Sequence, residues 1–264
     1  MNDTMPNLPA VPARPARRAT AIGASLALVA AAALAAGAPA AAVNGGACNT
    51  DYAPSIVPAD FQDSSGQPNV IDNPWFPLIP GASFTYDGVK DGAPLHNVTT
   101  VTSDTRLLMG VTVRVVRDTA SSNGKVIEDT FDWYAQDDAG DVWYFGEDTT
   151  TFDGNGNPVS TEGSWEAGDG PNRPGILMLA DPRSGSTYRQ EFAPDIAVDM
   201  ATVLPLERHI TVPYGRVDQI VETKEYSCLE KGIDHKFYAK GVGLVKELAL
   251  ANGGEYIELV DLAP

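Results

Sequence analysis

Glu147 and Asp129, with Arg117 beside them, are the residues whose types and spacing suggest acid–base chemistry or its ion-paired alternative, and Trp133, Phe145 and Trp165 those suited to binding through ring faces. All but Arg117 lie between Val126 and Asn172, which holds twelve carboxylates, no Lys or Arg, and three of the four tryptophans. A carboxyl set among apolar neighbours has its pKa raised, and a pair of carboxyls can divide general acid and base roles in glycoside hydrolysis. Glu147 and Asp129 are the candidate catalytic pair. Arg117 supports a competing account in which Asp129 belongs to a structural ion pair. The aromatic row, with Trp75 as a fourth member, could line a groove for a neutral or apolar ligand or a sugar. The same row would also serve as core packing.

These residues are positioned by strands. Short alternating runs separated by Gly, Asn and Asp turns predict an antiparallel all-β protein. Ser122-Asn123-Gly124 and Asp138-Ala139-Gly140 read as three-residue hairpin loops ending in Gly, the residue that enters the left-handed region without steric cost. The first loop sets Arg117 opposite Asp129, Val115 opposite Phe131, Val113 opposite Trp133 and Val111 opposite Ala135. The second sets Ala135 opposite Trp143, Trp133 opposite Phe145 and Phe131 opposite Glu147. Gly154-Asn155-Gly156 extends the series, with Phe145 facing Trp165 and Glu147 facing Gly163, although Pro158 suits only an edge or a bulge. This register puts the aromatic residues on the inward face. Glu128, Thr130, Asp132, Tyr134 and Gln136 are then expected on the solvated one. One stretch, Asp195 to Leu204, reads as a helix, because Ile196, Met200 and Val203 share a helical face.

Other constellations point nowhere specific. Asp153-Gly154-Asn155-Gly156-Asn157 has the oxygen spacing that opens a calcium loop, but Pro158 and Ser164 stand where Gly and Glu are needed, so it reads as a turn. His96, His209 and His235 are scattered, G-x-S-x-G is missing, and Gly241-Val242-Gly243 lacks the third glycine of a dinucleotide fingerprint. No metal site and no cofactor is expected.

Arg14, Arg17 and Arg18, the apolar run Ala21 to Ala36 and the small residues ending at Ala42 read as a secretory signal peptide over residues 1–42. Its removal leaves 34 acids and 15 bases, a formal charge of −19. Such a charge repels nucleic acid and anionic membrane surfaces. No transmembrane segment is expected in the mature chain. Cys48 and Cys228, in an oxidising compartment, read as a disulfide. Residues 43–70 are Gly-, Pro-, Asp- and Ser-rich and predict an extended arm. Residues 71–264 form a single β domain.

Three motifs resemble a group of bacterial secreted proteins and lipoproteins of uncharacterised function: Asn73-Pro74-Trp75-Phe76-Pro77-Leu78-Ile79-Pro80-Gly81 with Phe84-Thr85-Tyr86, then Thr211-Val212-Pro213-Tyr214-Gly215-Arg216-Val217, then Phe237 to Lys246. The second departs from the group at Tyr214 and Arg216-Val217. The resemblance implies a strongly curved antiparallel sheet similar to the open half-barrels of periplasmic lipoprotein carriers, from which this chain departs in its little predicted helix and its acidic meander. The fold expected is all-β, half-barrel or sandwich-like, with one or two short helices. Together these features predict a secreted or cell-envelope-associated carrier of a neutral or apolar ligand. A polysaccharide-active hydrolase and a structural envelope protein without a ligand are the alternatives.

Overall fold

The computed structural model describes Cys48, residues 51–250 and residues 255–264. The expected signal peptide and the first residues of the arm lie outside them. Fifteen strands form one antiparallel sheet. They are β1 (Ser83–Lys90), β2 (Ala93–Leu108), β3 (Val111–Ser122), β4 (Lys125–Gln136), β5 (Val142–Phe152), β6 (Pro158–Ser160), β7 (Trp165–Glu166) and β8 (Arg173–Met178). The second half comprises β9 (Thr187–Ala193), β10 (Ala197–Val203), β11 (Glu207–Val212), β12 (Gly215–Ser227), β13 (Asp234–Ala239), β14 (Gly243–Ala249) and β15 (Glu255–Ala263).

The sheet closes on itself, going beyond the expected half-barrel or sandwich. Its order runs β10-β9-β8-β5-β4-β3-β2-β1-β15-β14-β13-β12, and β10 pairs with β12 to complete a ring of twelve strands. β6 and β7 lie against β5, and β11 flanks the first half of β12. Bulges interrupt the ladders of β2, β3, β4, β9 and β13, and each adds local twist that helps the wall coil.

The hairpins fall close to the expected registers, and the differences decide the site. Asn123-Gly124 is a two-residue turn with both residues at positive φ (51° and 74°), pairing Ser122 with Lys125. A bulge at Ala120/Ser121 then sets Val115 opposite Trp133 and Arg117 opposite Phe131, two residues along from the predicted partners. The second hairpin pairs Ala135 with Trp143 as predicted, and then slips by one, so that Glu147 meets Asp132 instead of Phe131. Across β5 and β7, Glu147 is opposite Trp165, not Gly163.

Gly146 sits at that slip. Its φ is 117°, and a Cβ there would lie 2.2 Å from the Trp165 carbonyl oxygen. Gly146→Ala should therefore cost several kcal/mol, more than the roughly 1 kcal/mol of an ordinary strand glycine, as read by chemical denaturation.

The predicted faces are inverted. Glu128, Thr130, Asp132, Tyr134 and Gln136 are all buried and point into the barrel, while Phe131 is 38% exposed on the outer wall. The signal was misleading because β4 from Asp132 to Gln136 is buried on both sides. Outside, Phe61 of a short 3-10 turn (Pro58–Phe61) packs edge-on against Trp143 and Phe145, at 6.2 and 5.9 Å between ring centres. The same two-sided burial explains the helix predicted at Asp195–Leu204. That segment is strand β10, buried at all but one position, so the period-two alternation that marks a half-buried strand is missing.

One end of the barrel is plugged by the Asn73-to-Gly81 motif. Asn73 Nδ2 donates to the carbonyls of Gly140 and Leu179, and its backbone N–H donates to Gln136 Oε1. Gly241 N–H donates to the Pro74 carbonyl, and Gly81 N–H to that of Val101. Anchored to four parts of the rim, the motif drives Phe76 inward against Tyr134 and Tyr238 (5.6 and 6.1 Å). Near the opposite end, Cys48 is bonded to Cys228 across a sequence separation of 180.

Candidate functional site in the barrel interior

Two layers line the interior. Beneath the plug lies a layer of buried tyrosines: Tyr86, Tyr134, Tyr144, Tyr188 and Tyr238. Further along the same inward rows come ionisable side chains. β3 to β5 contribute Asp118, Asp132 and Glu147, β9 and β10 contribute Glu191 and Asp199, and β12 to β14 contribute Glu225, Lys236 and Glu247. A core serving only stability would be apolar, because burying a charge is costly unless it is paired and hydrogen-bonded.

Lys236, 1% exposed, is the hub of this layer. Its Nζ lies 3.1 Å from Glu225 Oε2 and 3.9 Å from Glu247 Oε2. Burial alone would lower its pKa, but the carboxylates of Glu225, Glu247 and Asp234 outweigh burial and hold it above the ordinary lysine value. Glu225 Oε1 also accepts from Thr223 Oγ1 (2.7 Å) and Gln190 Nε2 (3.1 Å).

Carboxyls other than Glu225 are pushed toward their neutral form. Burial, only partly offset by the Tyr144 hydroxyl (2.8 Å from Oδ1), raises Asp132 to about 7. Burial raises Asp199 and Glu247 to about 7 as well, and Asp234 to about 6. Asp118 and Glu191 stand well above the usual carboxylate range, by burial first and then by neighbouring carboxyls. Glu191 Oε2 accepts from Trp165 Nε1 at 2.8 Å, and Trp165 stands edge-on to Tyr144 at 5.7 Å.

The expected site residues separate. Asp129 is on the outer wall, held by Arg117 (2.7 and 2.9 Å) and Thr119 Oγ1, whereas Glu147 is inside. They lie on opposite faces of the wall, so the expected acid–base pair is not formed. Trp133 and Phe145 also face outward. Trp133 lies beneath the Arg106 guanidinium, 4.2 Å from the ring centre, and Phe145 beneath Phe61. Trp75 is half-buried in the plug, with Lys240 Nζ 5.8 Å from its ring centre. Of the four aromatic candidates, Trp165 alone reaches the interior carboxyls.

Sequence reasoning missed Asp132, Glu191, Asp199 and Lys236. The available signal was the alternation of Thr130, Asp132 and Tyr134, read with the faces exchanged. Asp153 Oδ1 accepts from the backbone N–H groups of Asn155 and Asn157, as a turn requires. Among the described residues no group of three or more His, Cys, Asp or Glu is placed to hold a metal ion, and no helix is long and apolar enough to cross a membrane. On the outer wall Lys246 Nζ pairs with Glu258 Oε1 at 2.6 Å, and His235 Nδ1 lies 2.5 Å from Glu222 Oε1.

No protein-family model and no curated protein matches the chain. Solved structures similar to it include a "putative exported protein with YmcC-like fold" from Bacteroides fragilis, 15% identical over 72% of this chain and 99% of that one, with a TM-score of 0.42. They also include a "putative lipoprotein" from Parabacteroides distasonis, 14% identical over 72% of this chain and 98% of that one, with a TM-score of 0.40.

Proposed function

We propose that the chain is an exported binding protein that holds a small ligand inside its barrel. The observation that carries this reading is a set of buried oxygens without a hydrogen-bond partner: Asp132 Oδ2, Gln190 Oε1, Glu191 Oε1 and Asp199 Oδ1. Buried acceptors are nearly always satisfied in folded proteins, so four on the inward rows of one barrel favour a place where a bound molecule supplies the donors. The ligand is then polar and donor-rich instead of apolar. Trp165 remains a contact, while Trp133, Phe145 and Trp75 serve the wall and the plug. Export is supported by the basic, apolar and small-residue order of the N-terminal sequence and by the Cys48–Cys228 bond.

The test is native mass spectrometry of the protein secreted by its own host, followed by extraction of whatever it carries. A stoichiometric small molecule, lost from the double variant Asp132→Asn/Glu191→Gln but kept by the outer-wall variant Asp129→Asn, is the expected result. A bare mass in every preparation, together with unchanged melting when host extracts are added, would favour a structural envelope protein.

A further inference from the structure

The chemistry of the chamber narrows the class of ligand. On β9 and β10, Glu191 and Asp199 are direct cross-strand partners, 0% and 1% exposed. Like charges opposed in this way are destabilising even on open sheets. The next ladder position is a bulge, Asp199/Met200, which leaves Gln190 between paired residues and lets it reach Glu225 with its amide. The neighbouring wall accommodates this. Gly175 faces the Gln190 carbonyl, and a Cβ there would be 2.1 Å from that oxygen. The local backbone therefore gathers acidic and amide oxygens together.

The buried side-chain atoms without a hydrogen-bond partner include four oxygens on the inward rows, on Asp132, Gln190, Glu191 and Asp199. A neutral polyol would bring as many acceptors as donors. An ammonium or guanidinium group brings donors only, along with the positive charge that matches the opposed carboxyls once they ionise. Lys236 is engaged by Glu225 and Glu247. In the ligand-free protein burial favours the protonated form of Asp132, Glu191 and Asp199, and a bound cation would take the place of those protons. The Trp165 and Tyr144 rings border the same carboxyls through their hydrogen bonds to Glu191 and Asp132, and they offer apolar surface to an alkyl stem.

We propose that the interior site takes an organic cation with several N–H donors, an alkylammonium or alkylguanidinium, seated between Glu191, Asp199 and Asp132. This rests on the reading of the chamber as a ligand site.

Calorimetric titration of the secreted chain with 1,4-diaminobutane, agmatine and the neutral control 1,4-butanediol tests it. The expected result is one-to-one binding of at least one amine and none of the diol. At pH 7 protons should be released, because Asp132 and Asp199 (each raised to about 7) must ionise around the cation. Glu191→Gln and Asp199→Asn should each weaken binding by at least about tenfold, the loss of one charge-assisted contact. Asp129→Asn should leave it unchanged. Both interior variants remove one of two opposed acids and should keep the fold, which circular dichroism checks. Amine binding that Glu191→Gln and Asp199→Asn leave intact would overturn the assignment, as would diol binding or no binding of either amine. A neutral molecule carried by the host-secreted protein, together with no amine binding, overturns the cation assignment alone. An empty barrel that binds no probe and is unmoved by host extracts overturns the ligand site itself.

Discussion

Acidification from pH 8 to pH 5 should stabilise the ligand-free protein, raising its melting temperature by about 10 °C or more. Asp132, Asp199 and Glu247 are each raised to about 7 in the fold, and Asp234 to about 6, from ordinary values near 4. A carboxyl whose folded pKa is raised binds its proton more tightly folded than unfolded. Its stabilising contribution is complete below the unfolded value and is lost as pH rises through the folded one. The window is therefore about pH 4 to 7, and the groups act in the same direction. Relief of repulsion among the excess acids adds to the effect. Several kcal/mol across the window, at roughly 2–4 °C per kcal/mol for a chain of this size, gives the expected shift. Thermal melts in buffers from pH 4.5 to 8.5 read it directly. A stability maximum at pH 8 would mean that these carboxyls are ionised and matched by positive charge in the folded protein.

The second large effect concerns Lys236. Replacing it with Met removes the charge between Glu225 and Glu247 while roughly keeping the volume. Removing one partner of a buried pair typically costs about 3–5 kcal/mol, because the other charge stays behind. Here the penalty should depend on pH. Below pH 6 Glu247 takes up a proton and needs no partner, so Lys236→Met should lose the share of its penalty that Glu247 contributes, while the share from Glu225 remains. At pH 8 it should be severely destabilised. Urea denaturation of both proteins at pH 5 and pH 8 gives the four midpoints required. A penalty equal at the two pH values would show that the ionisation of Glu247 is not what Lys236 offsets.

The strands and the disulfide were legible in the sequence because each has a local or chemical signature, whereas the curvature of the sheet was carried only by the resemblance of the three motifs. Gly124 and Gly140 mark hairpins at the right places, and two cysteines leave one pairing. Closure was not legible, since nothing local in Ser83–Lys90 or Glu255–Ala263 announces that these strands meet. The site was misread for a more specific reason. Trp133, Phe145 and Trp143 belong to the main apolar core, with Phe61 over Trp143 and Phe145, so the outer face of β4 and β5 is as apolar as an inward one. Glu147 was placed indoors correctly but with the wrong neighbours, since the slip at Gly146 carries it from beside Phe131 to beside Asp132. Asp199 was hidden because its strand, buried on both sides, imitates a helix face.

The ring order has a kinetic consequence. Around the barrel nearly every strand pairs with one close to it in sequence, so most of the wall can form as a succession of hairpins. The ladder between β1 and β15 is different, joining residues such as Val89 and Tyr256, on the order of 170 positions apart. Loop-closure entropy falls on that one step, which makes it the natural candidate for the rate-limiting event of folding. Until the two strands meet, the wall is an open ribbon whose acidic inner face is in water. Its carboxyls are then ionised at neutral pH and repel one another. Closure must draw protons or counter-charge into the barrel, and folding should accordingly be slower in alkaline buffer than in mildly acidic buffer.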